Sequence, residues 1–193
     1  MKRRPPYPVT PTEIKTFISC CGSQQVSINN AFFGQIPERI LIALVKNTAF
    51  VGSASTNLFH FHLYDMRNLV LYLHGVQHPP DPHTMGYSSP FGATRAYEIL
   101  FSSTGIHHDG NAHMINLDIS TNGFHVLGFD LIRVRQRTKT FEPPRQGNMR
   151  YGSNKTLPEH ITSILYAEFP GDIEIDNSRN VTLEWIPFGS IKL

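Results

Sequence analysis

The chain has 193 residues, of which 17% are charged and 11% aromatic, and its formal net charge is +2 at pH 7. That length suits one ordinary domain, able to bury roughly 70% of the surface its unfolded form exposes without help from a disulfide or metal. Global disorder is excluded, nucleic-acid binding by net field alone is disfavoured, and the longest apolar run, Ile40 to Val45, is far short of the roughly 20 residues a membrane-spanning helix needs.

In chain order, residues 1–11 are basic and proline-rich with no apolar core, so they read as an extension rather than a secretory signal, ahead of a single domain over 12–193. Cys20 and Cys21 are adjacent, a spacing that resists disulfide geometry, and are expected to be reduced in an intracellular compartment. Val26 and Ile28 alternate within Gln25 to Asn29. Arg39 to Lys46 is apolar at nearly every position, as in a central strand covered on both faces. Phe59, Phe61 and Leu63 alternate with His60, His62 and Tyr64, and Leu69 to Leu73 is another dense run. The segment from Gly75 to Gly92 carries four prolines and reads as a long loop. Ala93, Ala96, Tyr97, Leu100 and Phe101 then fall at helical spacing, predicting one amphipathic helix that stops at Gly105. Phe124 to Leu131 follows an Asn122-Gly123 turn, residues 131–159 read as irregular, and Ile161 to Phe169, Ile173 to Ile175 and Val181 to Trp185 are the last extended runs. The sum is an all-β sandwich of about eight antiparallel strands with one short helix in a connection.

Ten histidines raise the question of metal. His60 and His62 would share one face of a strand, and the pair, with Gly52 before it and Asp65 after it, is loosely similar to the first cupin motif. No second cupin motif follows, and His74, His78 and His83 have no ligand spacing. His107, His108, Asp109 and His113 lack a nucleophile elbow to serve, and no phosphate-cradling loop exists. No catalytic, cofactor or metal residue is therefore expected, which leaves a cupin-like metal enzyme as the weakest reading. The one charge cluster is Arg133, Arg135, Arg137 and Lys139; if extended, it lines one face with cations, suiting a guarded edge or an interface better than a nucleic-acid surface.

Three stretches in order carry a family resemblance: Ile28 to Gly75, then Tyr97 to His107 with Asn122 to Leu131, then Gly147 to Val181. Their strongest pieces are Phe33, Gly34, Gln35, Pro37 and Arg39 leading into a strand, Phe129-Asp130-Leu131, and Tyr166-Ala-Glu-Phe followed by Ile175-Asp176. Together they resemble the C-terminal roll of the double jelly-roll major capsid protein of Polinton/Maverick elements and adintovirus-like viruses. The resemblance implies a jelly-roll sandwich and a structural, non-enzymatic role in a virion, assembled inside the cell. It further implies homotrimeric capsomers, an icosahedral shell and other capsid proteins as partners. A chain of this length supplies one roll where that family's subunit carries two. Arg133, Arg135, Arg137 and Lys139, together with His78, Pro79 and Pro80 of the proline-rich segment, are the interface candidates. The alternative is a host-retained single roll that binds a protein or a glycan through its loops.

Overall fold

The computed structural model describes residues 7–73, 75–85, 90–104, 115–132, 145–175 and 180–184. Two four-stranded antiparallel sheets face one another. One has the order β2 (Thr12–Ser19), β9 (Ile161–Glu168), β4 (Arg39–Lys46), β7 (Val126–Asp130); the other has β3 (Gln25–Gly34), β8 (Arg145–Ser153), β5 (Met66–Leu73), β6 (Val76–Thr84). The pairing is nested: β5 pairs with β6, β4 with β7, β3 with β8 and β2 with β9. The chain is thus one long hairpin rolled up on itself, and the further ladders β4–β9 and β5–β8 close the two sheets. Eight strands connected in this way form a jelly roll. The β2–β9 ladder continues beyond Pro11 and Pro170 as β1 (Tyr7–Val9) on β10 (Gly171–Ile175), which also pairs with β11 (Val181–Glu184). Tyr7–Val9, within the expected extension, is therefore a paired strand.

The core lies between the two sheets. Ile40, Ile42, Leu44, Leu127, Phe129 and Leu165 from the first meet Ile28, Phe32, Leu69, Leu71 and Met149 from the second, all buried. One polar bridge crosses it: the buried Tyr151 hydroxyl of β8 lies 2.9 Å from Ser19 Oγ of β2 and 3.1 Å from Ser163 Oγ of β9. Each polar atom there is satisfied by another, as burial demands.

The two main sheets hold the eight strands expected, β1, β10 and β11 add a third small sheet, and the membership differs from the expectation. Residues 59–64 are not a strand; Phe61 makes one isolated bridge to Phe124, and Tyr64 and Asp65 both have positive φ, 52° and 54°. With Met66 N–H donating to the Leu63 carbonyl at 3.0 Å, they form a tight turn of mirror-image type, usually an Asn-Gly signal and invisible in Tyr-Asp. Conversely, the expected loop after Gly75 is strand β6. It sits at a sheet edge, where proline removes no ladder donor, and the register steps from Leu71↔His78 to Leu69↔His83, so that Pro79, Pro80, Asp81 and Pro82 bulge from the ladder. The stretch expected to be irregular holds β8, a central strand without one β-branched residue. Its glycines are covered by neighbours: the buried Phe32 ring lies over Gly147, and Asn68 Oδ1 over Gly152. The run Tyr151-Gly-Ser therefore finishes strand β8.

Helix α1 (Asn47–Val51) follows β4, α2 (Pro90–Thr104) fills the β6–β7 connection, and α3 (Leu117–Thr121) leads into β7. The expected amphipathic helix is present, but Ala96, Ile99, Leu100 and Ser103 are the buried positions among its described side chains, while Tyr97 and Phe101 stack on each other half-buried. Ser103 sets the rotation. Its Cβ lies 2.7 Å from where a Cβ on Gly128 would stand, so α2 touches β7 backbone. Arg39 then locks the helix end, donating from Nε to the Ser103 carbonyl at 2.7 Å and from Nη1 to Glu168 Oε2 at 2.7 Å.

Candidate functional site

The outer face of the first sheet is divided. Gly128, Leu41, Tyr166 and Ile14 form one cross-strand row over its four strands. Helix α2 covers the Gly128 end of that row, whereas Ile14 at the other end is 63% exposed and Ile18, two repeats of the pleat along, 68%. Glu13 and Lys15 point from the same edge strand toward the sandwich interior and pair at 3.6 Å. Inward charges on an edge strand deter strand addition, so β2 presents a face rather than an edge.

At one end of the sandwich, residues 60–65 form a strap between β4 and the α3–β7 turn. His62 N–H donates to the Leu44 carbonyl at 2.9 Å, Phe61 N–H to the Gly123 carbonyl at 2.6 Å, and His125 N–H to the Phe61 carbonyl at 3.3 Å. The His60 ring occupies the space a side chain on Gly123 would need, and Gly123 has φ +111°, so glycine is required there on both counts. The His60 and His62 ring centroids are 4.1 Å apart, and Tyr64 meets His62 edge-on at 5.5 Å.

Beside the strap is an open cleft of about 800 Å³ lined by Lys46, His62, Tyr64, Asp65, Thr121, His125, Asn154, Lys155 and Glu159, with Leu63. Lys46 and Glu159 form an ion pair at 3.1 Å, and Asn154 Nδ2 donates to Asp65 Oδ1 at 3.3 Å. Burial lowers the pKa of His62, helped by His60 and Lys46 and opposed by Glu159. Burial also depresses His125 to about 4, with His62 adding to the effect. The Tyr64 hydroxyl is raised by burial, and its oxygen has no hydrogen-bond partner among the described residues. At pH 7 both imidazoles of the cleft and the Tyr64 phenol are therefore neutral, and Lys46 is already paired with Glu159.

Among the described residues no group of three or more His, Cys, Asp or Glu side chains could hold a metal ion. His60 and His62 do share a side as the sequence implied, but through a turn and a ring contact. Cys20 and Cys21 are exposed and free, with Cys21 Sγ 3.8 Å from His160 Nε2. His78, Pro79 and Pro80 lie on edge strand β6 and at its bulge. Arg133, Arg135, Arg137 and Lys139, like His74, His107, His108, Asp109 and His113, lie outside the described residues. The features that sequence reasoning missed are His125, the Lys46–Glu159 pair and the exposed Ile14 and Ile18; the alternation of Ile14, Thr16 and Ile18 against Glu13, Lys15 and Phe17 was the available signal for the last.

No family model matches the chain. An uncharacterized protein of Caenorhabditis elegans, F54H12.2, is 27% identical over 186 residues, covering 93% of this chain; the chain spans 44% of that protein's length. Among solved structures, a chain of the Sputnik virophage aligns with 98% of this chain and 41% of its own at 10% identity and a TM-score of 0.43. The mavirus major capsid protein aligns with 95% of this chain and 44% of its own, also at 10% identity, with a TM-score of 0.39.

Proposed function

We propose that this chain is a structural building block, a jelly-roll module of capsid type that works by self-association and has no catalytic role. The nested pairing of β2 to β9 carries this reading. Beside it stands the ordered resemblance at Phe33, Gly34, Gln35, Pro37 and Arg39, at Phe129-Asp130-Leu131 and at Tyr166-Ala-Glu-Phe. The outer β2 face with Ile14 and Ile18 is the association surface: two large aliphatic side chains in water, on a sheet whose far side is already covered. In a virion such modules form trimeric capsomers of an icosahedral shell, and a relative more than twice as long as the matched segment has room for a second roll. Contacts through Arg133, Arg135, Arg137, Lys139, His78, Pro79 and Pro80 belong to the same proposal.

Light scattering across a wide concentration range tests it. Trimers or larger closed assemblies are expected, and an Ile14→Asp, Ile18→Asp variant should be monomeric with an unchanged thermal melt, since both side chains are mostly exposed. A parent that stays monomeric at every concentration, or a variant that assembles equally well, overturns the proposal.

A further inference from the structure

We propose that His60, His62 and His125 form an acid-released latch holding the strap at residues 60–65 and the α3–β7 turn against the end of β4. The geometry has three parts. The His60 and His62 rings lie tilted against each other with centroids 4.1 Å apart, a contact two neutral rings tolerate and two cations do not. The His60 ring caps Gly123, and the strap's backbone bonds to Leu44, Gly123 and His125 tie three elements through this one segment. His125 is 7% exposed, so charging it in place puts a cation in a largely closed site.

The surroundings do not favour protonation. Lys46 from β4 and Lys155 from the loop before β9 line the same cleft as cations. Of the two acids there, Glu159 is already paired with Lys46 and Asp65 accepts from Asn154. Tyr64 is neutral, and α3 contributes only the uncharged Thr121 to the cleft. The lowered pKa values of His62 and His125 agree with this balance. An opened strap would return the His62 and His125 rings to water, where imidazole takes a proton near its ordinary value, so acid shifts the population toward the open form. The end of the roll that carries the exposed Phe59, Leu117, Ile119 and Phe124 is then remodelled while the two main sheets stay paired.

Hydrogen exchange of the full chain at about pH 7.5 and about pH 5, corrected for intrinsic rates, reads this out directly. Peptides covering 59–66 and 115–127 are expected to lose protection by about tenfold or more at the lower pH, while β4 and β9 peptides keep theirs. In a His60→Asn, His62→Asn variant, both side chains being partly or fully exposed, that loss should diminish, the remainder being the share of the retained His125. Equal protection at both values, or an undiminished loss in the variant, overturns the latch. Ring-carbon NMR of the parent gives an independent reading: His125 titrating at the ordinary imidazole value would also overturn it.

Discussion

Replacing Gly147 with Ala probes how β8, a strand of weak intrinsic preference, is held at the centre of its sheet. Gly147 stands directly opposite Phe32 of β3, and the Phe32 ring, 1% exposed, lies across the glycine. A Cβ there would be 2.6 Å from Phe32 Cε2 and would overlap the ring elsewhere, where real Cβ contacts stay beyond 3.0 Å. Expelling the ring would forfeit about 3–5 kcal/mol of core packing, so it shifts instead, at an overpacking cost of about 1–3 kcal/mol. Alanine returns about 0.4–1 kcal/mol by restricting the unfolded chain. The net expectation is a loss of about 1.3 kcal/mol, or roughly 3–5 °C in Tm for a chain of this size. Urea unfolding followed by circular dichroism measures it. In a Phe32→Leu background the same alanine should cost less than about 0.5 kcal/mol, since the clashing ring is gone. A neutral Gly147→Ala, or an equal cost in both backgrounds, would refute the idea that Phe32 fills the space of a missing side chain.

Arg39→Ala removes the bonds to Glu168 and to the Ser103 carbonyl and should cost about 1–2 kcal/mol, partial exposure limiting the ion-pair share; exchange of the last-turn amides of α2 should rise more than that of β4. Tyr64→Phe deletes a buried hydroxyl oxygen that has no partner among the described residues, so calorimetry should find the variant equal to the parent or more stable by up to about 1 kcal/mol. For His125 the folded pKa, about 4, lies below the unfolded 6.5. The unfolded chain therefore binds more protons between these values, and stability is complete above pH 6.5 and falls as the pH drops toward 4. That gap caps the loss at roughly 3 kcal/mol, and partial solvent access trims it to about 2. Denaturation at about pH 7.5 and about pH 4.5 should show a loss that shrinks by that amount in His125→Gln.

What was legible in the residues follows the physics of each element. Ile40 to Val45 and Ile161 to Phe169 are the middle strands of their sheet, and burial on both faces leaves a dense apolar signature. Strand β8 has none, because its conformation is imposed by β3 and β5 and its side-chain volume is supplied by Phe32 and Asn68. Strand β6 hid behind prolines that an edge accepts. Residues 59–64 alternate like a strand, yet Leu63 and the tight turn at Tyr64-Asp65 fold them into a strap. Helix α2 was found but misoriented by one position, since contact with the bare Gly128 backbone outranked the larger Tyr97 and Phe101. The cleft was not readable at all: Lys46, His62, His125 and Glu159 come from four segments spread over more than half the chain, and only the nested topology brings them together.

That topology bears on how the chain acquires its structure. The hairpin of β5 and β6 pairs Leu73 with Val76, only two positions lying between them, whereas β2 must find β9 across most of the molecule. Loop-closure entropy grows with that separation, so the inexpensive contact is at the middle of the sequence and each further ladder shortens the effective loop for the next. Folding should therefore zip outward from residues 66–84, with β1 and β10 joining last. A chain emerging from the ribosome can complete only the β5–β6 pair before β7 appears, so most of the sandwich becomes possible only late in synthesis. Nicking between β5 and β6 would strike the seed of this order rather than a peripheral loop, and should slow refolding far more than it lowers stability.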